Sequence, residues 1–88
     1  MTWKIEYTEK AVRELLKIDR QSARKIKKYL DERIASAEDP RVFGKGLSSN
    51  LAGLWRYRVG DYRILTEIKQ DKLIILVIKI GHRSKVYD

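Results

Sequence analysis

The sequence predicts an α+β domain in which an N-terminal strand and a helical hairpin are followed by a three-stranded antiparallel meander. The expected result is one mainly antiparallel sheet with two helices on one face. Three observations carry this. Trp3-Lys4-Ile5-Glu6-Tyr7 alternates apolar and charged residues, the period of a half-buried strand. Between Ala11 and Ile34 apolar residues recur at spacings of three and four. From Leu54 onward the period falls to two, and the last run, Leu73 to Ile80, is apolar on both faces, as suits a strand inside a sheet.

The elements follow in order. Thr8 is placed to cap a first helix, with Glu9 in its first turn and Tyr7 and Val12 spaced for a hydrophobic staple. Ala11, Val12, Leu15, Leu16 and Ile18 form its apolar stripe. Asp19 can cap a second helix from about Arg20 to Ala35, with Ala23, Ile26, Leu30 and Ile34 inward. The outward face of that helix carries Arg20, Arg24, Lys25, Lys27 and Lys28, either a solvated surface or a track for a nucleic-acid backbone. Asp39-Pro40 ends the helical region, because the residue before proline is driven away from helical geometry. A Gly, Ser and Asn-rich connection runs from there to Gly53, tacked to the core by Val42, Phe43, Leu47 and Leu51. Strands Leu54 to Val59 and Tyr62 to Lys69 come next, joined by Gly60-Asp61, and Gln70-Asp71 turns the chain into the last strand.

Composition bounds the function. Eighty-eight residues suffice for one domain, 1–88, and apolar residues at 43% argue against disorder. With no cysteine and one histidine there is no disulfide framework, no thiol nucleophile and little basis for a zinc site, so no metal and no cofactor are expected. The longest apolar run is too short to span a bilayer and no signal-peptide pattern opens the chain, so the expected setting is cytoplasmic, away from membranes. Net charge is +8 and uneven. Residues 1–40 hold ten basic against eight acidic side chains, residues 41–88 ten against four. Nucleic acid or an acidic protein are the partners such a surface suits.

The second half concentrates that charge in a pattern. In Leu54-Trp55-Arg56-Tyr57-Arg58-Val59-Gly60-Asp61-Tyr62-Arg63, strand alternation puts Trp55, Tyr57 and Val59 on one face and Arg56 and Arg58 on the other. Pairing across Gly60-Asp61 would set Arg63 beside them. Three guanidiniums in one patch repel one another unless something anionic is bound, which points to a phosphate-bearing partner. The ending Gly81-His82-Arg83-Ser84-Lys85-Val86-Tyr87 adds groups capable of proton or phosphate chemistry at one end of the sheet. Lys45 in Gly44-Lys45-Gly46 could approach a phosphate closely, and Arg41, Lys45 and Lys85 are the expected contacts to a phosphate-bearing chain.

Taken together, residues 54–63 and 80–87, with the opening strand and helical hairpin, resemble the RelE toxins of the RelE/ParE superfamily. The resemblance implies a type II toxin that enters the 30S ribosomal A site, contacts ribosomal RNA and cuts mRNA, and is neutralised by a RelB-like antitoxin. It further implies metal-free chemistry, in which the ribose 2′-hydroxyl attacks the adjacent phosphate and leaves a 2′,3′-cyclic phosphate. Arg56, Arg58, Arg63, Arg83 and Tyr87 match the family's catalytic positions. There are departures: the best-known RelE toxins have lysines where this chain has Arg56 and Arg58, and the tail is two residues shorter before Tyr87. An arginine is a poor general base. His82, whose ordinary pKa lies near neutrality, is therefore added to Tyr87 as a proton carrier. The alternatives are a ParE-like inhibitor of DNA gyrase and a non-enzymatic RNA-binding module with Trp55, Tyr57 and Tyr62 as stacking platforms.

Overall fold

The computed structural model describes residues 2–83. Strand β1 (Lys4–Tyr7) leads into helix α1 (Glu9–Lys17) and helix α2 (Arg20–Lys28), then come β2 (Lys45–Gly46), β3 (Leu54–Val59), β4 (Tyr62–Lys69) and β5 (Ile74–His82). The sheet order is β1-β5-β4-β3-β2. Among the described residues only β1 and β5 run parallel; the other three pairings are antiparallel. The expected architecture is therefore present, with one addition. The Gly-rich connection contributes β2, a two-residue edge strand whose Lys45 lies opposite Arg56 and Gly46 opposite Trp55.

Both helix caps form as their residues predict. The Thr8 hydroxyl accepts from the Ala11 amide at 3.1 Å, and an Asp19 carboxylate oxygen accepts from the Ser22 amide at 2.9 Å. That hydrogen bond holds the Asp19 carboxyl below its ordinary value. The second helix does not stay α-helical to Ala35. It widens into a π-turn over Tyr29–Ile34, with the Ala35 amide donating to the Leu30 carbonyl at 2.8 Å. Ile26, Leu30 and Ile34 nevertheless remain wholly buried, and the Ala35 carbonyl takes the Trp3 amide at 2.7 Å, tying the helical end to the opening strand.

The core lies between the helices and one sheet face, built from Trp3, Ala11, Ile26, Leu30, Ile34, Tyr57, Ile64, Ile75, Val77 and Ile80. Two expectations about it are corrected. The α1 stripe is narrower than the sequence implied: Ala11, Leu15 and Ile18 face inward, while Val12 and Leu16, one residue further round, are exposed. Val42 and Phe43 do not tack the connection down either, and both are exposed. Pro40 fills that place. It is buried, and its carbonyl accepts from the Tyr57 hydroxyl at 2.7 Å.

A β-bulge decides what the far end of the sheet displays. Leu65 pairs with Lys79 but Thr66 pairs with Val77, so Ile78 is an extra residue on β5. The Ile78 carbonyl is taken by the Thr8 hydroxyl at 3.1 Å, and the Ile80 amide, beyond the end of β1, donates to a Glu14 carboxylate oxygen at 2.8 Å. Below the bulge, Ile75 and Val77 face the helices; above it Ile80 does, and the face away from the helices receives Lys79 and Gly81. The bulge thereby reverses the parity of the strand just before Arg83.

Candidate nucleic-acid site on the open sheet face

Side-chain alternation on β3 divides the key stretch as expected. Tyr57 is wholly buried under the helices, and Arg56 and Arg58 lie on the opposite, open face. Arg63 stands directly across from Arg58, a position in which Cβ atoms are roughly 5 Å apart. Arg56 has Leu65 across from it on one side and Lys45 on the other. Arg63 is flanked on β5 by Gly81, which adds no side chain beside the guanidinium. Arg83 follows on the same face, its amide donating to the Asp61 carbonyl at 2.7 Å and so fastening the end of β5 to the β3–β4 turn. Gly60 makes that turn possible with φ of 58°, a conformation glycine adopts without strain.

The cations feel one another. Arg56 is only 4% exposed, and its guanidinium titrates below the ordinary arginine value because of burial first and the Arg58 and Arg63 charges second. Arg63 is displaced in the same direction by burial, then by Arg58 and Arg83, with Asp61 opposing. Four arginines from three segments thus form one mutually repelling cluster. Beside it is a depression of about 380 Å³ lined by Phe43, Gly44, Lys45, Arg56 and Arg58. This arrangement suits a bent anionic chain, with phosphate charge on the guanidiniums and room at the sheet edge for what the phosphate carries.

The remaining sequence-predicted residues are placed elsewhere. His82 pairs with Tyr62, so it belongs to the helix-side face, where the two rings meet edge to face at 5.8 Å and 82°. The fold does not bring it into the arginine cluster. Arg41 is held in place: its guanidinium donates to Asp39 at 3.0 Å and to Gln70 at 2.9 Å, joining the turn after the helices to the β4–β5 connection. Lys45 does reach the cluster, through β2. Tyr87 and Lys85 lie outside the described residues. The cationic residues of α2 are on the helical layer, where Arg20, Gln21, Arg24, Lys25 and Lys28 line a separate depression of about 500 Å³. Among the described residues there is no cluster of His, Asp or Glu suited to hold a metal ion, and no helix long and apolar enough to cross a membrane.

Phe43 is exposed beside the cluster, and its place next to Gly44-Lys45-Gly46 is the signal that the chain there runs along an edge. Glu14 accepts from the Ile80 amide, and nothing local in the sequence marks it as the partner of a distant strand amide.

Comparison with known proteins agrees with this fold. The family model described as the ParE toxin of type II toxin–antitoxin system, parDE, matches residues 5–87. Toxin RelG of Mycobacterium tuberculosis is 25% identical over 87 residues, covering 99% of this chain and 98% of RelG. Among solved structures, a chain of the toxin–antitoxin complex RelBE2 from Mycobacterium tuberculosis superposes with a TM-score of 0.87 at 24% identity, over 97% of this chain and 95% of that one. A chain of the intact Escherichia coli RelBE complex gives 0.72 at 21% identity, over 91% and 95%. The chain belongs to the ParE toxin family of type II toxin–antitoxin systems, within the RelE/ParE superfamily.

Proposed function

We propose that this toxin is a ribosome-dependent mRNA endoribonuclease that cleaves in the A site and is neutralised by a RelB-like antitoxin. The observation that carries the proposal is the gathering of Arg56, Arg58, Arg63 and Arg83 on one sheet face, close enough for their charges to act on one another. The strand register and bulge that assemble the cluster are backbone features, so the guanidiniums are pre-positioned before any substrate arrives.

The chemistry follows from what such a cluster does well. In-line attack of a ribose 2′-hydroxyl on the neighbouring phosphate builds negative charge on the phosphorane, and guanidiniums aimed at that charge stabilise the transition state more than the ground state. The 2′-oxygen forms its bond to phosphorus as the bond to the 5′-oxygen breaks, leaving a 2′,3′-cyclic phosphate and a 5′-hydroxyl. In this proposal Arg56 and Arg58 hold the scissile phosphate, Arg63 and Arg83 take the developing charge, and Lys45 steadies the chain beyond it. Proton transfer is assigned to Tyr87 and His82. The part given to His82 requires its strand end to turn, because its ring rests on the Tyr62 side.

An antitoxin partner is supported by the RelB–RelE complexes whose toxins share this fold. A helix with acidic and apolar faces would suit the open face, where Ile74 and Leu76 adjoin the cationic half. The match to the ParE model favours one second reading, inhibition of DNA gyrase. Induction in a growing host followed by primer-extension mapping of mRNA separates the two. Cuts phased to codons are the expected result. Intact mRNA with gyrase-linked DNA damage contradicts the nuclease and supports the gyrase reading.

A further inference from the structure

Phe43 is the only Phe, Tyr or Trp side chain among the described residues that is exposed. It is not loosely held. Pro40, three residues earlier, is pinned by the Tyr57 hydroxyl, and Arg41 by Asp39 and Gln70. At Gly44, the next residue, an added Cβ would lie 2.9 Å from the Tyr57 ring and 3.1 Å from the Arg56 carbonyl, so the segment lies flat against β3. The Arg33 guanidinium sits over the Phe43 ring at 5.6 Å, bracing it from the helical layer. What remains accessible borders the depression shared with Lys45, Arg56 and Arg58.

We propose that this depression is a nucleobase subsite, in which the Phe43 ring stacks on the base adjoining the phosphate held by the arginines. The proposal deepens the RNA reading above and rests on it for the identity of the ligand. A flat apolar ring beside three cations matches the two parts of one nucleotide: a π-face for the base and positive charge for the phosphate. A simple anion would make no use of the ring. Phenylalanine offers no hydrogen bond, so the subsite tolerates any base and contributes position rather than sequence choice.

The test is a double-mutant cycle at equilibrium with the full chain. The probe is a short single-stranded oligoribonucleotide made uncleavable by 2′-O-methyl groups, alone or with one abasic site at successive positions. Phe43→Ala is expected to weaken binding roughly tenfold. At one position the abasic site weakens wild-type binding by a similar factor and adds nothing further to Phe43→Ala. Phe43→Tyr restores both the affinity and the abasic penalty, whereas Phe43→Leu, equally apolar, restores neither. Wild-type affinity in Phe43→Ala, losses that multiply at every position, or no measurable binding by the wild-type chain would each overturn the subsite. Cleavage is scored separately on ribosome-bound mRNA. A wild-type protein that completes the cycle but leaves that mRNA intact defeats the nuclease reading and leaves the subsite standing. Normal cleavage without coupling in the cycle does the reverse.

Discussion

Arg56 and Tyr57 are neighbours on β3, withdrawn from solvent almost equally at 4% and 0% exposure, and their surroundings are opposite in kind. Tyr57 faces the helices, packs in the core and donates its hydroxyl to the Pro40 carbonyl. Arg56 faces the other way, into a group of like charges that lower its proton affinity. On the helix side the neighbours are apolar packing and a hydrogen bond; on the open side Arg58 and Arg63 add like charge beside Arg56. One strand therefore serves as a wall for two rooms, and substitutions on its two faces should separate stability from activity.

The largest effect is expected on the open face. Arg63→Ala should slow cleavage of ribosome-bound mRNA by about a hundredfold to a thousandfold, measured in a single turnover, because it removes a donor aimed at the growing phosphorane charge. In the same assay His82→Ala sharpens the contrast between faces: a loss of about a hundredfold keeps the imidazole as a proton carrier, and a wild-type rate removes it from the mechanism.

Tyr57→Phe is the counterpart on the helix side. The Pro40 carbonyl loses its buried donor, at a cost of about 1–3 kcal/mol in denaturant unfolding, with little change in cleavage chemistry. This variant also bears on alkaline stability. Burial raises the Tyr57 hydroxyl above its ordinary pKa of 10, and burial with the Asp31 charge raises Tyr7 to about 12. Both groups keep protons in the folded state that the unfolded chain gives up. Their contribution is thus complete below pH 10 and is lost as pH climbs through the folded values. Tyr57→Phe should soften that alkaline decline.

How far the sequence could be read depends on the same periodicities. Alternation from Trp55 to Val59 announced both faces of β3, because a side chain's face on a strand is fixed by parity alone. Thr8 and Asp19 announced the helix starts for an equally local reason. The run Leu73 to Ile80 carried little such information. It is apolar on either face as far as Ile78, and only Lys79, which unbroken alternation would group with Ile75 and Val77, marks the extra residue that turns Gly81 and Arg83 toward Arg63. Strand β2 was too short to show a period, and with it went the placement of Lys45 against Arg56. An apolar residue in a loop is normally an anchor, but here the hydrogen bond from Tyr57 to Pro40 puts the anchor three residues before Phe43.

The most direct test of the cluster as a standing anion site is thermal melting of the wild-type protein and Arg58→Gln, in phosphate and in chloride at matched ionic strength. Arg58 lies directly opposite Arg63, so in chloride the variant should melt about 2–4 °C higher than the wild type, and the gap should close as phosphate replaces chloride, because phosphate binds and stabilises only the intact cluster. A variant that melts at or below the wild type in both salts, by a margin phosphate does not alter, would contradict it.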